Sequence, residues 1–143
     1  MNRTTIPLAA FALVTSTFAC AGTANPVGAA APTNAAVGAG ALDGKSYEVK
    51  LSIAGEQPQK DTLVFNGGKF ESTACTGFGF PRWTDYTTSG DPSAIAFHVV
   101  THHPSGDSID WNGIVRSDSI EGKGAHTMNG KTDFETFSGS LKR

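Results

Sequence analysis

The chain has 143 residues, with 11 Lys or Arg against 13 Asp or Glu and a net charge of −2. Charge so nearly balanced, mixed along the chain and without a basic patch, excludes the footprint of a nucleic-acid binder. No apolar run is long enough to cross a bilayer core of about 30 Å as a helix.

At the N-terminus, Arg3 supplies a positive charge, and residues 6–18 are apolar or small apart from Pro7, Thr15, Ser16 and Thr17. This is the layout of a secretory signal peptide, residues 1–19. Two cleavage readings stand side by side. Ala19-Cys20-Ala21 suits ordinary signal peptidase. Thr17-Phe18-Ala19-Cys20 resembles a bacterial lipobox, in which Cys20 becomes the lipidated first residue. Residues 20–41 hold nine Ala, four Gly, two Pro and no charged or aromatic residue. Such a composition cannot bury enough apolar surface to offset its ordering entropy, and it predicts a disordered tether. A tether directly behind an acylated cysteine has a use, so the membrane-anchored reading is favoured over free secretion. Ala21 after Cys20, by resemblance to Gram-negative lipoproteins, implies the outer membrane.

Residues 42–143 carry ten basic and 13 acidic residues, net −3. They are of single-domain length, and their pattern is strand throughout. In KSYEVKLSIA, Tyr47, Val49, Leu51 and Ile53 alternate with polar residues. DTLVFN sets Leu63 and Phe65 on one face, and Asn66-Gly67-Gly68 turns into KFESTAC, read as a further strand. WTDYTT is a weaker strand, broken at Ser89-Gly90-Asp91-Pro92. AIAFHVVT alternates through Ile95, Phe97 and Val99. DSIDWNGIVRS follows with Ile109, Trp111, Gly113 and Val115 in register. SIEGKGAHT carries Ile120, Gly122, Gly124 and His126. After Asn129-Gly130 the last strand runs to Leu141, with its register open because Phe134 and Phe137 fall on opposite faces. No stretch shows a helical period. About eight strands joined by short turns predict an all-β fold, a small up-and-down antiparallel barrel, with a sandwich as the other solution.

LDGKSYEV, DTLVFNGGKFESTACTGFGF, WNGIVRSDSIEGKG and the final FSGSL together resemble a group of small uncharacterised bacterial envelope proteins. The likeness spans nearly all of 42–143, and the chain pattern is broadly similar to lipocalin-like and streptavidin-like barrels. It implies a β-barrel in the cell envelope and no particular activity; the Gly-x-Trp of true lipocalins is missing from the first strand.

A barrel of this size is either filled by its own side chains or holds one small ligand. Inward Gly113, Gly122, Gly124 and Gly139 either relieve crowding around Trp111 and let strands bend, or leave space. In CTGFGFPRW, Phe78, Phe80 and Trp83 crowd one loop. They form either a plug over one end of the barrel or an apolar lip, where Arg82 would meet a carboxylate or phosphate. The candidate ligand-binding residues are therefore Phe78, Phe80, Arg82, Trp83, Phe97, Trp111 and His126.

Catalytic chemistry finds no support. Cys75 reads as a buried thiol at a strand end. His98, His102 and His103 do not converge as metal ligands, and Asp107 with Asp110, or Asp133 with Glu135, read as solvated faces offering no general acid and base. No cofactor or metal is expected. The sequence thus predicts a non-enzymatic envelope protein, held to the membrane through Cys20, that binds a small apolar ligand or lipid in or at the mouth of its barrel. The competing expectation is a tethered protein-interaction module, an inhibitor or assembly subunit, with a filled interior.

Overall fold

The computed structural model describes Gly38 and residues 40–143. The expected signal peptide, Cys20 and nearly all of the expected tether lie outside the described residues. Within them, alternating burial runs along each long strand. In β1 (Lys45–Ile53), Tyr47, Val49 and Leu51 are buried while Glu48, Lys50 and Ser52 face water. β2 (Gln59–Asn66) buries Asp61, Leu63 and Phe65. It turns into β3 (Lys69–Ser72) through Gly67 and Gly68, whose φ values of 59° and 73° are those a tight two-residue hairpin demands and glycine supplies without strain.

The strand expected to continue through Cys75 does not. Thr73–Gly77 form a single helical turn, α1. Its cause is polar and local: Ser72 Oγ accepts from the Cys75 N–H at 3.1 Å, and Asp61 on β2 accepts from the Ala74 N–H at 2.8 Å. One capped turn is too short to display an apolar period, so periodicity could not announce it.

Beyond the aromatic loop come β4 (Thr84–Asp85) and β5 (Thr87–Asp91), then β6 (Ala94–His102), β7 (Ser108–Arg116), β8 (Ser119–Met128) and β9 (Lys131–Leu141). The break expected at residues 89–92 falls later, because β5 runs on through Gly90 and Asp91. The nine strands form one antiparallel sheet in the order β4-β3-β2-β1-β9-β8-β7-β6-β5, a nearly closed barrel. Its last strand pairs with its first, Glu135 opposite Ile53 and Phe137 opposite Leu51. The two ends of that order are consecutive in the chain. β4 pairs with β3, β5 pairs with β6, and Tyr86 joins them. Counted as one crossing, β4 and β5 complete the eight-strand meander that the sequence predicts, and near closure leaves little unpaired edge.

The core is an aromatic lattice. Phe65 meets Phe70 at 5.4 Å and both Tyr86 and Phe97 at 5.1 Å. Trp111, fully buried, lies 5.6 Å from Phe70 and 5.7 Å from Phe137. Each such pair contributes about 0.5–1.5 kcal/mol beyond the area it buries. The inward glycines host these rings. A Cβ at Gly113 would strike the Phe97 ring, and one at Gly122 would strike Phe137 and the Asn112 carbonyl. Gly139 is tighter still, since its Cβ would run into the backbone of Glu48 and Val49. No rotamer change relieves a clash with backbone. Gly139→Ala is therefore expected to cost about 2 kcal/mol or more, read as a lower urea midpoint with an unchanged slope; an unchanged midpoint would show that β1 and β9 are not locked together here.

One end of the barrel is shut by the residues leading into β1. Leu42 is fully buried beneath Tyr86, whose hydroxyl accepts from the Leu42 N–H at 3.3 Å and donates to Asp43 at 2.9 Å. Gly38 reaches the same end, its carbonyl accepting from Thr88 Oγ1 at 2.9 Å. The other end is where the chemistry lies.

Candidate functional site at the open mouth

At that end a cavity of about 300 Å³ opens between β1, α1, the loop after it, the β6–β7 turn and the end of β8. Leu51, Ile53, Phe78, Phe80, Ile109 and Met128 give it apolar walls, and Cys75, His103, Asp107 and His126 stand among them. Its size is at the lower limit of small-molecule sites. A larger hollow of about 640 Å³ crosses the outer face of β1 and β2 along Glu48, Lys50 and Lys60. It is lined mainly by solvated polar and charged side chains, with the buried Asp61 and Val49 beneath, and lacks the apolar walls a ligand site needs.

The aromatic loop divides its residues. The N–H groups of Phe78 and Phe80 both donate to the Cys75 carbonyl, at 2.9 and 3.2 Å, which winds the chain back over α1. Phe80 is buried as a result, 5.1 Å from the His103 ring and 5.8 Å from His126. Phe78 turns outward at the rim and is 76% exposed. Arg82 and Trp83 leave the mouth altogether: the guanidinium lies 5.4 Å over the indole and 3.3 Å from Glu71 on the outside of β3. Phe97 and Trp111 belong to the packed core below. Of the sequence candidates, Phe78, Phe80 and His126 thus meet at the cavity. Phe97 and Trp111 support it from beneath, Arg82 and Trp83 stand apart, and Cys20 lies outside the described residues.

Two carboxylates that the sequence reading did not single out as site residues are buried in the barrel near Cys75, though neither lines the cavity. One rung of the barrel runs Trp111, Gly124, Glu135, Ile53 across four strands. Gly124 has no side chain, so Glu135 folds inward across it, its carboxyl occupying the space a Cβ would need. Glu135 was expected on a solvated face; it is instead buried, because the register that turns Phe137 inward turns Glu135 inward with it. Burial pushes its carboxyl up from about 4.5 to about 7, and the charge of Asp61 adds to the rise. Asp61 itself is held by donors: Ser72 Oγ at 2.6 Å, Thr73 Oγ1 at 3.0 Å and the Ala74 N–H at 2.8 Å.

Cys75 stands on α1, not at a strand end, and is half-buried. Burial drives its thiol up to about 11; a contact from Ser72 opposes this, and the charges of Asp61 and Glu135 reinforce it. A thiol so held stays protonated at neutral pH and lacks the thiolate that nucleophilic chemistry requires. His126 Nε2 in the cavity wall is buried without a partner among the described residues, as are Trp111 Nε1 and the Tyr47 hydroxyl in the core. Around the turn above, His103, Ser105 and Asp107 form a hydrogen-bonded chain of 2.7 and 2.8 Å that fixes the rim. Among the described residues no three His, Cys, Asp or Glu converge as metal ligands.

Sequence did hold a signal for the two carboxylates. Asp61 shares the period-two register of Leu63 and Phe65, and Glu135 shares that of Phe137 and Leu141. An acidic residue in an inward register marks a functional or structural polar site. Comparisons of the chain with protein-family models, with curated proteins and with solved structures find no match.

Proposed function

We propose that residues 42–143 form a non-enzymatic small-ligand-binding barrel of the bacterial cell envelope, tethered to the outer membrane through a lipid on Cys20. The observation that carries the binding reading is the cavity itself: about 300 Å³, apolar-walled, at the mouth of a barrel whose core is otherwise packed, and lined by His126, whose buried Nε2 has no partner among the described residues. The closed end supports it too. Gly38, whose carbonyl accepts from Thr88 Oγ1, lies at that closed end and away from the mouth. The envelope location rests on the signal-peptide and lipobox patterns and on the resemblance to small envelope proteins.

A second reading, a tethered protein-interaction module, draws on the exposed Phe78 and Met128 at the rim and on Phe134, 71% exposed on the outer face of β9. The two readings separate on small apolar probes. In the binding reading, 1-hexanol shifts the amide resonances of Cys75, Phe80 and His126 in a saturable way, and Ile109→Trp, which fills the cavity, abolishes the shifts. If the wild-type protein does not respond to hexanol, the small-ligand reading fails. An intact-mass measurement on protein from its own host tests the tether: an N-terminus at Cys20 carrying acyl chains is expected, and a bare N-terminus elsewhere would refute it.

A further inference from the structure

Carbon surrounds the mouth cavity. Leu51 and Ile109 are its buried walls, Phe78 and Met128 its exposed edge, and Ile53 and Phe80 complete the lining. Charge is scarce. No Lys or Arg lines the cavity. Its one carboxylate, Asp107, already accepts from Ser105 Oγ at 2.8 Å and from the Asn129 N–H at 3.4 Å. The Cys75 thiol, pushed up to about 11 chiefly by burial, keeps its proton.

His126 is set apart from these neighbours. Its Nε2 is buried, and its ring makes no hydrogen bond or ion pair with any described residue. The surroundings of the ring are apolar: His126 stands on β8 opposite Ile109, and the Phe80 ring lies 5.8 Å away. His103, the other imidazole in the lining, is engaged by Ser105. The remaining buried polar atoms without partners, the Tyr47 hydroxyl and Trp111 Nε1, belong to residues that do not line the cavity.

A polar nitrogen sealed away without a partner is unfavourable. A molecule that fills the cavity rests against this ring and can supply the missing bond. The lining restricts its head group. A carboxylate or phosphate would enter carbon walls with no countercharge and with Asp107 nearby. An ammonium would find the one lining carboxylate engaged. A neutral head fits, and the imidazole selects among neutral heads. No hydrogen bond to a described residue fixes which ring nitrogen carries the proton, so Nε2 is a donor in one tautomer and an acceptor in the other. A carbonyl matches only the donor, whereas a hydroxyl matches both.

Resting on the ligand-binding reading above, we propose that the mouth cavity takes a neutral hydroxyl-bearing hydrocarbon, an alcohol or phenol with a compact apolar body, whose hydroxyl bonds to His126 Nε2. Its body lies against Ile53, Phe80 and Ile109. The hydrogen bond sets the selectivity, because a hydrocarbon of the same shape leaves Nε2 unpaired.

The test is a resonance-shift titration of the full chain with three probes of similar shape: benzyl alcohol, ethylbenzene and benzoate. Both neutral probes are expected to shift the amides of Cys75 and Phe80. Only the alcohol shifts the side-chain Nε2 resonance of His126, and benzoate binds weakest. His126→Phe keeps a ring in place and removes the nitrogen. It is expected to weaken benzyl alcohol at least about fivefold and to leave ethylbenzene unchanged or tighter. Taking the ratio of the two affinities in each protein cancels the different cost of removing the probes from water, and ethylbenzene binding shows that the cavity survives the substitution. The wild-type Nε2 signal decides the matter even if the variant fails to fold. An alcohol that shifts the amides without moving Nε2, an affinity ratio unchanged by His126→Phe, or benzoate binding as tightly as the alcohol overturns the inference and leaves the ligand-binding reading standing. Failure of both neutral probes together with 1-hexanol overturns both.

Discussion

Near pH 8, Glu135→Gln is expected to be more stable than the wild-type protein, by up to about 3 kcal/mol, and near pH 4 by almost nothing. The sign follows from the protons. The unfolded chain releases the Glu135 proton near 4.5, whereas the folded barrel holds it to about 7. Between those values the folded state binds more protons than the unfolded state, so stability falls as pH rises through that window and is flat above it. This is the reverse of a salt-bridged carboxylate, whose contribution is lost in acid. Glutamine keeps the shape over Gly124 and carries no charge to bury, so the variant escapes the loss. The measurement is urea unfolding of both proteins at the two pH values, compared as a difference so that other titrating groups cancel. An equal difference at both pH values would mean that Glu135 is solvated, and the buried-acid account would have to be abandoned. A destabilised Gln variant at pH 8 would point to an ionised carboxylate with a partner.

The second large effect belongs to Asp61, and its sign is opposite. Asp61→Ala is expected to cost about 3 kcal/mol at neutral pH. The carboxylate ties β2 to α1 by accepting from Ser72, Thr73 and Ala74, and its loss strands the buried Ser72 hydroxyl and an N–H at the head of the helical turn. Two buried acids thus do different work: one is saturated with donors and holds the helix, the other accepts none and keeps its proton to about pH 7. They are also coupled. Asp61 raises the Glu135 carboxyl, so removing its charge lets Glu135 ionise at lower pH. A double-mutant cycle should therefore show a smaller gain from Glu135→Gln in the Asp61→Ala background than in the wild-type one. Strictly additive effects would place the two carboxyls too far apart to sense each other.

The glycines show how the same letters were read and then explained. On the page, four inward glycines were compatible with bends or with a void. In the fold, Gly113 and Gly122 receive the rings of Phe97 and Phe137, Gly139 lets β9 press on the β1 backbone, and Gly124 receives a carboxyl. Three serve packing, and the fourth makes room for a buried acid. Nothing in the sequence separates these roles, because what lies opposite a glycine is decided by the register of a neighbouring strand. The aromatic loop teaches the same lesson. Phe78, Phe80 and Trp83 are alike in sequence, yet the hydrogen bonds that wind Phe78 and Phe80 onto the Cys75 carbonyl send one ring out and one in, while Trp83 leaves the mouth.

The period-two alternation of Tyr47, Val49 and Leu51, of Ile95, Phe97 and Val99, and of Ile109, Trp111 and Val115 sufficed to determine an all-β meander and which side chains fill it, because a strand sends successive residues to opposite faces whatever it pairs with. The glycine turns at 67–68 and 129–130 were equally local, since positive φ is a property of the residue itself. Only the tertiary structure decided that Glu135 turns inward, that Asp61 caps a helical turn, and that a cavity remains at one end while Leu42 and Tyr86 shut the other. Each depends on what a neighbouring strand or turn sets opposite the residue, 11–13 residues away for Asp61 and 44 for Leu42 and Tyr86, or on the free space between strands, and neither is written in any single stretch of chain.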